Sequence, residues 1–331
     1  MLNMKIRGLA LLLLLLFLVP VVSGCGSPAS SGSSQEESLK LGLIPVEDNF
    51  PFFVAEKEGL FTKAGLKVEL VPFNSARDRD LALQSGSIDG EVADIVATAL
   101  LRKGGTPVKI VSLTMGATPA EGRFALLARP GADISSPGQL KGRTVGISEN
   151  TIIEYVADGL LREGGVDPGS VQKVAVPQIP ERLQLLLGGK LDAALLPDPF
   201  ASLAARKGAR VILDDTKINR NLSQVVLIFR EEAIKHKTPA IKKLLQVYAG
   251  AASLIARNPS AYRELFIEKA RIPAELRDTY LAPQYSPPQL PRQEEVAAVM
   301  DWMVAKKLLA APYKYEELVD PDLVNPGGNN R

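Results

Sequence analysis

Twice along this chain the same unit recurs: a short apolar strand, then a helix closed by glycine, then a new strand entered through an aspartate. The first series opens at Leu39, where Leu39-Lys40-Leu41-Gly42-Leu43-Ile44 alternates as a strand should. Pro51 suits the first position of a helix running to about Lys63, with Gly65 closing it. Strands are predicted near Lys67–Val71, Asp89–Val92 and Val108–Leu113, with helices near Arg77–Gln84 and Asp94–Lys103. The series then restarts. Arg143–Ser148, Val171–Val176 and Leu191–Leu196 read as strands, and Ile152–Glu163 and Glu181–Leu187 as helices. Segment Arg79–Gly90 echoes Arg182–Ala193, which fits either two similar lobes or the common use of glycine helix caps. The alternation predicts an α/β fold with mainly parallel strands. Two apolar runs, Arg123–Ala128 and Gln224–Phe229, read as crossings between lobes, and beyond the second the chain reads as wholly helical. Thr238-Pro239, Asn258-Pro259 and Pro291 supply start signals for three of those helices. The expected organisation is thus one lobe from 39–122 and 230–331, with 123–229 inserted as the second.

Ahead of this lies a different kind of sequence. Lys5 and Arg7 precede an apolar stretch from Leu9 to Val22, shorter than a span of about 20 residues and followed by small residues, so 1–24 read as an export signal. Val22-Ser23-Gly24-Cys25 resembles the lipobox of bacterial lipoproteins, with Val22 where leucine is commoner. That resemblance implies cleavage before Cys25, lipid on its thiol, and a membrane anchor on the extracytoplasmic face. Residues 25–38, rich in Gly and Ser, read as a flexible tether. Cys25 is the only cysteine, so its lipidation leaves no thiol for a disulfide, a nucleophile or a zinc site. The fold must rest on burial, which a 46% apolar composition supports over the remaining residues, roughly 290 and enough for two lobes. Without Lys5 and Arg7, the 39 Lys and Arg of the chain fall to the same number as its 37 Asp and Glu. A neutral mature chain argues against a nucleic-acid partner.

Several phrases then resemble one family. Pro51-Phe52-Phe53-Val54-Ala55-Glu56-Lys57-Glu58-Gly59-Leu60-Phe61, followed by Gly65-Leu66-Lys67-Val68-Glu69-Leu70, is similar to the opening of ABC-transporter substrate-binding proteins. The branch is the nitrate, sulfonate, taurine, bicarbonate and thiamine-pyrimidine-precursor group. Ala82–Gly90, Gly104–Val111 and Asp133–Pro137 before Leu140-Lys141-Gly142 continue the likeness, which runs from about Leu39 to Val319. The resemblance implies a bilobed periplasmic-binding-protein fold of type II, with two α/β lobes, two hinge strands and a helical C-terminal part. It also implies a monomer that closes on a small molecule and hands it to a permease with a cytoplasmic ATPase. It leaves the ligand open.

In open α/β sheets ligands bind beyond the carboxyl ends of strands. That rule selects Asp48 and Asn49 (beside Glu47 and Phe50), Asn74 and Ser75, and Asp94 in the first lobe, with Asn150 and Thr151 (beside Ser148 and Glu149) and Asp198 in the second. Glu121 and Arg123 fall at the first crossing and Asn221 at the second, positioned either to clamp a ligand or to form structural bridges. Asp94 and Asn150 also suit helix N-caps, and Asp198 between two prolines also suits a turn. Phe50, Phe73 and Phe200 read as core. Among the candidates acids outnumber bases, with only Arg123 and Arg77 to set against them, so a ligand carrying N–H donors or a positive charge, such as an aminopyrimidine, fits better than a bare oxyanion.

An enzyme would need a nucleophile, a base or a metal set. The only histidine, His236, lies between Lys235 and Lys237 on a segment that reads as solvated, and Gly188-Gly189-Lys190 is followed by Leu191 rather than Ser or Thr. No cofactor is expected. Cytosolic proteins of this fold that make a thiamine pyrimidine rely on histidine chemistry, which makes that alternative poor. A lipoprotein that senses its ligand, using the same cleft, stays open beside transport.

Overall fold

The computed structural model describes residues 37–324, so the segment read as an export signal, Cys25 and most of the expected tether lie outside it. Strand β1 (Glu37–Leu43) leads through a 3-10 turn at Glu47–Asn49 into helices α1 (Phe50–Lys57) and α2 (Leu60–Lys63). The single helix expected over 51–63 is therefore two, because Gly59 takes φ +63°, a left-handed conformation that ends α1 and starts α2. Next come β2 (Leu66–Pro72), α3 (Ala76–Gln84), β3 (Gly90–Asp94), α4 (Ile95–Lys103) and β4 (Val108–Met115). The second series runs β5 (Phe124–Ala128), β6 (Thr144–Ile147), α5 (Ile152–Glu163), β7 (Gln172–Ala175), α6 (Ile179–Leu187), β8 (Ala193–Pro197), α7 (Phe200–Arg206) and β9 (Arg210–Asp214). Strand β10 (Val225–Arg230) opens the last part, followed by α8 (Glu231–Arg257), α9 (Arg263–Lys269), α10 (Gln293–Ala305) and α11 (Tyr315–Leu318). Among the described residues no helix is long and apolar enough to cross a membrane.

Two five-stranded sheets result, ordered β2-β1-β3-β10-β4 and β7-β6-β8-β5-β9. Each is mixed rather than mainly parallel: β10 runs antiparallel to β3 and β4, and β5 antiparallel to β8 and β9. The two apolar runs expected to cross between lobes are these strands. Both are buried on both faces inside a sheet, which their unbroken apolar sequence demands, so β10 belongs to the first sheet. The crossings are the polar stretches beside them, residues 116–123 and 215–224. Strand β1 also starts at Glu37, two residues inside the expected tether, because Glu37 and Ser38 pair with Leu66 and Lys67. The C-terminal part is not wholly helical, since residues 277–292 carry no helix. Helix α8 begins at Glu231 and bends at Lys237 (φ −129°, ψ 22°), so Thr238-Pro239 starts its second half.

The sequence echo is a structural repeat. Asp89 Oδ2 accepts from Lys40 N–H at 2.9 Å, and Asp192 Oδ2 accepts from Thr144 N–H at 3.0 Å, each pinning the entry of a central strand to its neighbour. Two residues further along those neighbours stand Gly42 and Gly146. A Cβ on Gly42 would lie 2.5 Å from Ile88 and 3.2 Å from the Arg79 stem, and one on Gly146 would lie 2.6 Å from Leu191 and 3.2 Å from the Arg182 stem. Both strands therefore exclude larger residues so that a helix can bring an arginine across the sheet.

Candidate functional site

A cavity of about 460 Å³ opens between the two sheets, at the carboxyl ends of β1, β3, β6 and β8. Its walls are largely apolar, with Val92, Val96, Met115, Phe124, Ile153 and Phe200 among them. Set into those walls are five acids, Glu47, Asp48, Asp80, Asp94 and Asp198, and two arginines, Arg79 and Arg123.

On the first-sheet side, the 3-10 turn after β1 buries Glu47, whose Oε2 accepts from the Tyr280 hydroxyl at 2.6 Å, while its carbonyl accepts from Tyr285 at 2.7 Å. Burial pushes its carboxyl up to about 8, helped by Asp198 and Asp48 and opposed by the Tyr280 bond. Burial likewise lifts Asp48 to about 7, against the pull of Arg79. Asp94 caps α4, accepting from Ala97 N–H at 2.8 Å, yet burial still raises its carboxyl. Arg79 donates to Asp80 at 2.8 Å and to the Val92 carbonyl at 2.6 Å, and its Nε lies 3.3 Å from Glu91. All three of its nitrogens are thus engaged by the protein.

On the second-sheet side, Arg123 donates to Asp214 at 2.8 Å and to the Ser202 hydroxyl at 3.2 Å, and lies 3.5 Å from Asp198. Asp198 accepts from both the N–H and the hydroxyl of Ser202 at 2.9 Å. Burial nonetheless raises its carboxyl, with Arg123 and Ser202 pulling the other way. Thr151 caps α5, accepting from Ile153 N–H at 3.2 Å, and Asn150 before it takes φ +60°.

Six of the eleven residues singled out in the sequence lie on this wall: Asp48, Asp94, Arg123, Asn150, Thr151 and Asp198. The other five do not. Asn49 is buried beneath the turn, donating to the Ile44 carbonyl at 2.6 Å. Ser75 caps α3 through Asp78 N–H at 3.1 Å, with Asn74 exposed beside it. Glu121 is buried within the first crossing, accepting from Ala117 N–H at 2.9 Å and from Ser286. Asn221 donates to the Gly116 carbonyl, tying one crossing to the other. Asn49, Ser75, Glu121 and Asn221 thus satisfy backbone or hinge groups, the ordinary fate of polar loop residues. Sequence reasoning did not select Arg79 and Asp80, which sit inside α3 rather than in a loop beyond a strand end, and it placed Phe200 in the core. The echo of Arg79 in Arg182 was the available signal for the first.

The sequence matches the family described as NMT1/THI5 like over residues 47–262. The chain belongs to that family. A protein of Brachyspira hyodysenteriae, provisionally named an ABC transporter periplasmic binding protein, is 25% identical over 272 residues, covering 78% of this chain and 76% of its own. The bicarbonate-binding protein CmpA of Synechococcus elongatus is 27% identical over 211 residues, covering 54% of this chain; the chain spans only 45% of that relative. Among solved structures, the periplasmic aliphatic sulphonate binding protein SsuA from Escherichia coli superposes with a TM-score of 0.72 at 20% identity, over 87% of this chain and 99% of its own. The desulfurization enzyme DSZB has a TM-score of 0.68 at 16% identity, over 88% of this chain and 98% of its own. The fold of this family member is the bilobed, type II periplasmic-binding-protein fold, and the cavity is the cleft between its lobes.

Proposed function

We propose that this chain is the substrate-binding subunit of an ABC importer, working as a monomer outside the cytoplasm, anchored through lipid on Cys25 and delivering its ligand to a permease. Residues 124–214 are then a lobe inserted into the first, and the two polar crossings are its hinge. The reading draws on the family, on the names of the relatives and on a cleft of the size and apolar character typical of organic ligands. The ligand we infer is a small organic molecule with N–H donors or a positive charge, of aminopyrimidine type. Asp48, Asp94, Arg123, Asn150, Thr151 and Asp198 are its proposed contacts. The observation that carries this choice is the balance of the walls: Glu47, Asp48 and Asp94 face the cavity with no arginine bonded to them, while both arginines are already paired with acids of the protein, Asp80 and Asp198 among them.

A second reading, an anion such as a sulfonate, is favoured by two helix starts at the cavity, α4 and α5, and by the names of SsuA and CmpA. Binding rather than catalysis fits the side chains present, because His236 is exposed on α8 and occupied by Glu232 at 2.8 Å, away from the cleft. The test is mass spectrometry of ligand released from purified protein, followed by thermal shifts with aminopyrimidines, sulfonates, nitrate and bicarbonate. Stabilisation by aminopyrimidines is expected; stabilisation by anions alone overturns the ligand choice. Cys25→Ser is expected to release the protein from membranes, and unchanged retention overturns the anchor.

A further inference from the structure

We propose that Glu154 is a positioning residue that joins the cleft wall to a latch between the lobes, closed when Lys306, at the C-terminal end of α10, reaches Glu154 of α5. The side chain is 1% exposed and its two oxygens face different ways. Oε2 accepts from Asn150 N–H at 2.8 Å, holding the left-handed residue that lines the cavity. Oε1 accepts from Lys306 at 2.6 Å and from Lys173 at 2.9 Å. Burial pushes this carboxyl up, but Asn150, Lys306 and Lys173 together hold it below its ordinary value, so it is a carboxylate.

Helix α10 belongs to the other side of the cleft. It packs on α4, and its Glu295 accepts from Gln224, next to β10, at 2.6 Å. Toward α5 it presents Trp302 and Lys306, one turn apart. Trp302 donates to Asp158 at 3.0 Å and meets the Tyr155 ring edge-on at 5.5 Å. The contact between the lobes here adds directional polar bonds to an apolar cluster that α4, α5 and α10 share, and those bonds are either made or broken. Lys173 makes it reversible. It stands on the same lobe as Glu154 and also reaches Asp158 at 2.6 Å, so when α10 withdraws, neither buried acid is left without a cation. Seating α5 against α10 and setting Asn150 on the cleft wall are thus one movement.

The role of Asn150 rests on the cleft being the binding site, whereas the latch is tested without ligand. Spin labels at Arg77→Cys and Glu181→Cys, exposed near the starts of α3 and α6, report the opening of the ligand-free protein. Lys306→Met keeps the stem and removes the charge, and is expected to raise the open-to-closed ratio roughly ten- to a hundredfold, the worth of one charge-assisted bond. Lys306→Arg is expected to restore the parent ratio. A Lys306→Met protein with the parent distance distribution overturns the latch, whether its melting temperature falls or not. So does a parent protein with no closed population.

Discussion

The two lobes are built to one plan and balanced differently. Each sends an arginine from a helix across a strand glycine, Arg79 over Gly42 and Arg182 over Gly146. In the first lobe Arg79 meets Asp80 and the fully buried Glu91. At the matching places of the second lobe the sequence has Leu183 and Ala194. Arg182 is 0% exposed, donates only to the Val176 carbonyl at 2.8 Å, and leaves Nε and Nη2 without a protein partner. Burial pulls its guanidinium down to about 10, while Glu91 and Asp80 hold Arg79 above its ordinary value against the same burial. A repeated scaffold can thus keep its backbone geometry while its internal charges diverge. The lobe that turns a neutralised arginine toward the cleft is also the one that crowds acids there.

Four measurements break or sharpen that contrast. The largest effect is expected for Arg79→Met, which strips Glu91 and Asp80 of their cation and should destabilise by about 3–5 kcal/mol in urea unfolding. Arg79→Met combined with Glu91→Met should recover much of the loss, and a mild single variant would show that the pair does not matter.

Next is the pH dependence. Glu47, ordinarily near 4.5, sits at about 8, and Asp48, ordinarily near 3.8, at about 7. The folded protein holds protons that the unfolded chain releases above about pH 4.5, so the stability these two groups contribute should decline as pH rises from there and be lost above about pH 8. Thermal or urea unfolding across that window reads the decline. Glu47→Gln should make it shallower, leaving the share of Asp48. In the second lobe Asp215, lifted to about 7 by burial, contributes in the same direction.

A smaller effect is expected at the cleft. Asp198→Asn keeps the Ser202 contacts in shape but removes a charge, which should weaken a cationic or N–H-rich ligand by about 1.5–3 kcal/mol, one to two decades in titration calorimetry. The same change should leave an anion unaffected or bound more tightly, so the sign of the change reports the ligand class. Smallest is Arg182→Met, expected to be neutral or stabilising by up to about 1 kcal/mol, because an apolar side chain replaces an uncompensated buried cation. A large loss there would mean that Arg182 has a partner the protein groups do not supply.

The order of strands and helices was legible because apolar alternation, glycine caps and helix-starting residues are local signals. Helix α5 was read with the bounds it has, and Asp94, Asn150 and Asp198 reach the cavity wall because strand ends point at clefts. The pairing of those strands was not legible. Nothing local in Val225–Arg230 says that it enters the first sheet between β3 and β4. Nor could Glu47 reveal its environment, since the hydroxyls that reach it come from Tyr280 and Tyr285, over two hundred positions away. Asn49, Ser75, Glu121 and Asn221 misled for the opposite reason, being polar loop residues whose partners are close by and internal.

The position of β10 also fixes an order of assembly. All five strands of the second sheet lie within residues 124–214, so that lobe has every strand it needs as soon as this stretch is available. The first sheet stays split, with β4 separated from β2, β1 and β3, until a strand about 110 residues downstream slides into the middle. A chain emerging from a membrane in N-to-C order would therefore complete its second lobe before its first, holding the earlier half open as an unfinished sheet with two unpaired edges until β10 arrives.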